Sequence, residues 1–214
     1  MKELVILGAG DLGKELIWLV EDINRVRPQY VILGLLDDDA EKHGSQIHGY
    51  RVLGTTDLLM GLGDTHDVHA VITIEDGSIR RRIAEKLAGF EKWETLIHPS
   101  AVVSDMSTMG KGCIVFANVT VSVDTSIGNH VLCYLSSTIG NDCEIGDYVS
   151  ILSKASISEH VRVGRESYLS ASSIVFPHKE IGEAVKVGVG AVVSKDAKDG
   201  TVISGGIPGL SFFR

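Results

Sequence analysis

Two groups of residues in this 214-residue chain have types and spacing suited to chemistry. Near the start, Gly8-Ala9-Gly10-Asp11-Leu12-Gly13 follows an apolar run and opens a helical pattern. Gly8 and Gly10 permit a tight turn with close backbone approach, Gly13 lets the helix pack, and the first amides of that helix can meet a phosphate. Asp37 follows Gly10 by 27 residues, with Asp38 beside it; at this distance an acid can reach a ribose hydroxyl or a base. In the second half, Asp124, Asp142, His160, His178 and Asp196 recur at intervals of eighteen, next to a column of Asn141, Glu159 and Pro177. If the chain coils with that period, each step rises ~4.8 Å, and His160 or His178 becomes a candidate general base with Asp142 orienting His160. Two alternatives stay open: these are plain solvent-facing corners, or Asp142 and His160 share a divalent ion.

The elements that would position these groups follow two different periods. Leu4 to Leu7 reads as a short buried strand, followed by Leu12, Leu16, Leu19, Val20 and Ile23 at helical spacing. Apolar runs at Tyr30 to Leu36, ending on Asp37-Asp38-Asp39, and at Val68 to Ile74, ahead of a helix with Ile79, Ile83 and Leu87, complete a βαβ pattern with a small parallel sheet. Beyond Phe90 seventeen positions from Ile97 to Val193 stand six apart, all but Cys133 aliphatic or Met. A hexapeptide period buries its apolar face only by stacking coil on coil, so a parallel β-helix of a little under six triangular coils is expected. Gly follows the inward position at 110, 128, 140, 146, 164, 182 and 188, where corners are expected to need left-handed backbone angles. The domains are therefore 1–92 and 93–214.

Composition narrows the partners. A net charge of −8, with no basic run longer than Arg80-Arg81-Arg82, argues against nucleic acid. No apolar run approaches the ~20 residues needed to span a bilayer, and Met1-Lys2-Glu3 leads into a strand rather than a secretory segment, so a cytoplasmic protein without membrane partners is expected. Cys113, Cys133 and Cys143 lack metal-type spacing and read as reduced core residues, and no metal ligand set is assigned. His98 reads as a junction cap, His130 as a turn residue, and Arg80 to Arg82 as a solvated helical turn, with contact to a phosphate as the alternative. Phe116 and Tyr134 read as facing outward.

The glycine turn, the acidic Asp37-Asp38, Gly54-Thr55-Thr56-Asp57, the segment Thr95 to Ala101 that opens the hexapeptide run, and the ending Asp199 to Ile203 with Gly206-Ile207-Pro208 together resemble one bacterial group. It is the family of sialic acid O-acetyltransferases and nucleotide-amino-sugar N-acetyltransferases. The resemblance implies an α/β N-terminal Rossmann-like domain followed by a left-handed parallel β-helix, a homotrimer, and acyl transfer from acetyl-CoA, with no tightly bound cofactor, to a nucleotide-linked amino sugar or related surface-glycan sugar. It implies a nucleotide-sugar site on Gly8, Gly10, Leu12, Gly13, Asp37 and Asp38, and acetyl-CoA contacts on Ser150, Glu159, Ala171, Gly188, Val189 and Gly190.

The chain departs from that family's pattern at the catalytic segment. The family's His corresponds to Asn141, the acid before it to Gly140, a preceding Asn to Tyr134, a second His to Ser150, the phosphate-loop His to Leu12, and a Gly to Glu75. The catalytic assignment therefore falls on His160, His178, Asn141 and Asp142, and an amine acceptor is favoured over an alcohol because positioning alone can drive a neutral amine. A different acyl group, formyl or a longer chain, is a third and weaker alternative. From another functional class, the same departures fit a catalytically degenerate relative that binds a nucleotide sugar or partner without acyl transfer.

Overall fold

The computed structural model describes residues 1–65 and 67–205; Gly206-Ile207-Pro208 of the family-like ending lies outside the described residues. The N-terminal domain comprises β1 (Lys2–Leu7), α1 (Asp11–Val26), β2 (Tyr30–Leu36), β3 (Gln46–Ile47), β4 (Tyr50–Gly54), α2 (Leu58–Thr65), β5 (Val68–Ile72) and α3 (Gly77–Lys86). Its strands lie in the order β3-β4-β2-β1-β5. All neighbours are parallel except β3 with β4. The apolar stripe of α1, from Leu12 through Leu16, Val20 and Ile23, is buried. Gly13 makes this packing possible, since a Cβ there would sit 2.3 Å from the Gly8 carbonyl oxygen.

The second domain is a left-handed parallel β-helix of two-residue strands beginning at Leu96–Ile97 and ending at Val202–Ile203. Three parallel faces form the prism. The first carries the strands at Leu96, Ile114, Leu132, Ser150, Tyr168, Lys186 and Val202, the second those at Val102, Thr120, Thr138, Ser156, Ile174 and Val192, and the third those at Thr108, Ser126, Glu144, Arg162 and Glu180. The six-residue column fills the axis, and the three cysteines are free and buried with it. Ile97 is an exception at 39% exposed, because the first coil has no coil beneath it.

The corners correct one expectation. A positive φ recurs every six residues from Gly112 to Gly190, and Asn118, Asp124, His130, Ser136, Asp142, Tyr148, Lys154, His160, Glu166, Ser172, His178 and Ala184 fill the steps between. The left-handed angle therefore falls two residues after the repeat glycines, on side chains that tolerate it at roughly 1 kcal/mol each. The glycines answer a different demand. A Cβ on Gly128 would lie 2.8 Å from the Asp147 amide nitrogen, and one on Gly146 2.7 Å from that of Arg165, so the next coil comes too close for any side chain.

The N-terminal domain sits on the first face. Phe116, Leu132 and Ile114 join the core formed by α1 and the sheet, and Tyr134 packs edge-on against Phe116 while donating a hydrogen bond to Glu15. Both aromatics face out of the β-helix as expected, but onto α1 of their own chain rather than towards a trimer partner or ligand. Arg80 is a second correction. It is 2% exposed and donates to the carbonyls of Ile74, Glu75, His130, Tyr148 and Val149 and to Ser150 Oγ, at 2.7 to 3.1 Å. It is a buried clamp between domains instead of a solvated turn, and its desolvation pulls the guanidinium pKa down to about 10.

His130 also exceeds a plain turn role. It is buried, stacked on Tyr148 with 5.2 Å between ring centroids and edge-on to Trp93. Burial, reinforced by Arg80 and Lys111, pushes its pKa down to about 4. His98 serves as the expected junction cap, with Nε2 3.1 Å from Asp22 and Nδ1 accepting from the Ser100 amide.

Candidate functional site

The strand order reverses at β1, which has β2 on one side and β5 on the other, and a crevice opens at the carboxyl ends of these strands, where α/β sheets bind ligands. It is a cavity of about 380 Å³ lined by Gly8, Asp37, Asp38, Thr56, Ile74, Ile79, Arg82, Ile83 and Lys86. Residues 79, 82, 83 and 86 share one face of α3 by the i, i+3, i+4, i+7 rule. Gly8, Asp37 and Asp38, which the resemblance assigns to a nucleotide sugar, all line this cavity. Gly10 is the N-cap of α1 with open space beside it, and no side chain caps the helix.

Leu12 and Gly13 do not reach the cavity. Leu12 is buried in the apolar core and Gly13 is pressed against Gly8, so both act by packing and are withdrawn as ligand contacts.

The two acids differ in availability. Asp37 accepts from the Ala9 amide at 2.7 Å, the Asp39 amide at 2.9 Å and Lys42 Nζ at 3.0 Å. Burial raises its pKa, but these amides and Lys42 outweigh that and hold the carboxyl below the ordinary range. It is a brace for the glycine turn. Asp38 accepts from the Thr56 amide and hydroxyl through one oxygen, both at 2.8 Å, and its other oxygen has only Lys86 at 3.5 Å. That second oxygen can still accept from a ligand hydroxyl or N–H.

The eighteen-residue column forms the other region. At the corner between the second and third faces, Asp124, Asp142, His160, His178 and Asp196 line an open groove of about 640 Å³, with Glu144, Arg162, Lys179 and Glu180 on its third-face side. His160 and His178 stack, with ring centroids 4.7 Å apart and planes 8° from parallel. Asp142 Oδ2 lies 3.9 Å from His160 Nε2 and accepts from Asn141 Nδ2 at 2.5 Å. The orienting hydrogen bond expected from Asp142 to His160 is not made at that distance. Among the described residues no group of three His, Cys, Asp or Glu side chains converges on a metal position.

The residues assigned to acetyl-CoA are split. Ala171, Gly188, Val189 and Gly190 lie together at the corner between the first and second faces, where the Gly190 amide donates to the Ala171 carbonyl. Glu159 stands at the histidine corner, since the His178 amide donates to its carbonyl. Ser150 is a correction: it is fully buried, donating to the Glu75 carbonyl and accepting from Arg80, so no acyl donor can touch it.

Sequence reasoning passed over Lys86, named Thr56 only within a family-like segment, and took Arg82 for a solvated turn with a phosphate contact as the alternative. The signal for Arg82 and Lys86 was the 79/82/83/86 spacing. Glu144, Arg162 and Glu180 were also in reach, since they repeat at eighteen beside the column that was read.

Comparison with known proteins adds relatives to this geometry. Residues 3–87 match the PglD N-terminal domain family. The chain is 29% identical over 120 residues to a UDP-N-acetylbacillosamine N-acetyltransferase of Bacillus subtilis (strain 168), covering 55% of this chain and 52% of the relative. It is 31% identical over 123 residues to a GDP-perosamine N-acetyltransferase of Escherichia coli O157:H7, covering 56% and 53%. The matched part thus spans about half the length of these curated relatives. Among solved structures, the acetyltransferase domain of PglB from Neisseria gonorrhoeae FA1090, in complex with acetyl coenzyme A, superposes with a TM-score of 0.84 at 29% identity over 95% of this chain and 96% of that one. A perosamine N-acetyltransferase from Caulobacter crescentus, a histidine-to-asparagine variant in complex with CoA and GDP-perosamine, gives 0.86 at 27% identity over 97% and 95%.

Proposed function

We propose, from the premise that this chain is a relative of the nucleotide-amino-sugar N-acetyltransferases, that it moves an acetyl group from acetyl-CoA to the amine of a nucleotide-linked amino sugar. The observation that carries this reading is the coexistence of a nucleotide-sized crevice at the strand ends with a β-helix corner bearing a stacked imidazole pair. The substrate amine attacks the thioester carbonyl, a C–N bond forms as the C–S bond breaks, the nitrogen's proton passes to a corner imidazole and from it to the departing sulfur, and CoA leaves as the thiol.

Asn141 stands where the family's pattern has its histidine, and His160 or His178 takes the proton in its place. Positioning contributes the larger share, several kcal/mol, because a neutral amine needs little help to attack once it is held against the thioester. Asn141 and Asp142 set the polar floor beside the pair. The acyl donor runs along the Ala171, Gly188, Val189 and Gly190 corner of one copy and Glu159 of another, in a homotrimer.

The layout supports such an assembly. The N-terminal domain covers the first face, and the histidine corner is the vertex opposite that face, so the crevice and the corner of one chain cannot meet. A second copy has to supply the corner, and with it the catalytic pair. No described helix is long and apolar enough to cross a membrane, and the use of acetyl-CoA as acyl donor supports a cytoplasmic location.

The test is release of CoA thiol from acetyl-CoA with UDP-, GDP- and dTDP-amino sugars. Acceptor-dependent release supports the reading; none above background with any acceptor rejects it. The 3.9 Å gap between Asp142 and His160 favours one second reading, a relative that binds the nucleotide sugar without transfer. That reading predicts thermal stabilisation by a nucleotide sugar and none by any acyl-CoA.

A further inference from the structure

We infer that the anionic part of the cavity's ligand, a diphosphate, is held by Arg82 of α3 and not by the glycine turn at the start of α1. This deepens the proposed nucleotide-sugar reading and rests on it.

The glycine turn has lost much of its capacity for an anion. A phosphate cradled there would need the Ala9 amide, and that amide is spent on Asp37 Oδ2 at 2.7 Å. The same carboxylate stays charged, held down by two amides and Lys42. Asp11 occupies the first turn of α1 and Glu15 the next, so two further carboxylates stand where the helix's positive end would act. A dianionic group brought here would meet three acids against Lys14 and Lys42, each already paired with one of them.

The opposite wall has the complementary charge. Arg82 lines the cavity and makes no hydrogen bond or ion pair with any described residue. Lys86, one turn further on, is already engaged by Asp57 at 2.9 Å and by Thr56 Oγ1 at 3.0 Å. Arg82 is therefore the one cation of the lining that a ligand can take without breaking an existing pair, and its planar fork suits two phosphate oxygens at once. The layout along α3 sets a direction. Lys86 and Asp38 mark the nucleoside end, Arg82 the middle, and Ile79, towards Gly77 and the β-helix, the sugar end.

The experiment titrates the full-length protein with UDP, GDP and dTDP and with the matching nucleosides, by calorimetry. Wild type binds at least one diphosphate more tightly than its nucleoside, Arg82→Gln loses about tenfold or more of the diphosphate affinity while leaving the nucleoside affinity unchanged, and Arg82→Lys falls between. The preference for the diphosphate also weakens with added salt in wild type and not in Arg82→Gln. If wild type binds diphosphates and Arg82→Gln binds them equally well, the Arg82 assignment is overturned while the nucleotide reading stands. If wild type binds none of the three diphosphates, the nucleotide reading fails and takes this assignment with it.

Discussion

The crevice and the histidine corner reach their geometry by different routes. In the crevice, side chains are held by long-range bonds: Asp37 braces the Ala9 amide from 28 residues away and Asp38 grips Thr56 across 18. At the corner, position comes from the repeat itself. Each candidate residue takes the left-handed step of its own coil, at φ 54° for Asp142 and His160 and 58° for His178, and the stack follows from the coil rise. The lesson is that the crevice is preorganised by hydrogen bonds, whereas the corner is preorganised by backbone and leaves its side chains free to bond a substrate. The 3.9 Å gap between Asp142 and His160 is consistent with a corner that is completed by a partner chain.

The largest expected effect breaks the corner. Replacing both His160 and His178 by Ala is expected to lower acetyl transfer by about 10²–10⁴-fold with little change in melting temperature, as checked by thiol-release kinetics and calorimetry. Next comes the junction that fixes the crevice relative to the first face. Arg80→Met leaves five buried carbonyls short of a donor and is expected to destabilise the fold by about 3–5 kcal/mol in urea unfolding.

A pH effect of similar origin follows from His130. Its folded pKa of about 4 lies below the ordinary 6.5, so between those values the unfolded chain takes a proton that the folded one refuses. Stability is fully present above about pH 6.5 and falls by about 3 kcal/mol as pH drops towards 4. His130→Phe should flatten that slope in unfolding curves measured across the window. The smallest effect probes the repeat. Gly128→Ala pushes a methyl into the Asp147 backbone and is expected to destabilise the fold by about 1–3 kcal/mol, seen as a lower unfolding midpoint, whereas Ser126→Ala on the neighbouring strand should change little.

How much of this was legible in the sequence differs between the regions for the same reason. Ile127, Ile145 and Val163 announce the β-helix because each coil restates the last, and the column from Asp124 to Asp196 could be aligned by counting. Arg80 could not be read that way. Its partners lie up to 70 residues distant and are mostly carbonyls, which every sequence supplies and none advertises. Ser150 looked like a ligand contact for the same reason, since nothing local says that Arg80 will bury it. The Asp37 brace was half legible: its spacing from the glycine turn pointed to a meeting, but the partner turned out to be the turn itself.

In the proposed mechanism the crevice of one copy works with the histidine corner of another. Mixing an Asp38→Lys variant, whose crevice is blocked, with a His160→Ala/His178→Ala variant tests it directly. Each is expected to be inactive alone, and mixed oligomers, verified by native mass spectrometry, are expected to regain acceptor-dependent thiol release from the sites that pair an intact crevice with an intact corner. Mixed oligomers that form and yet remain as inactive as either parent would contradict it.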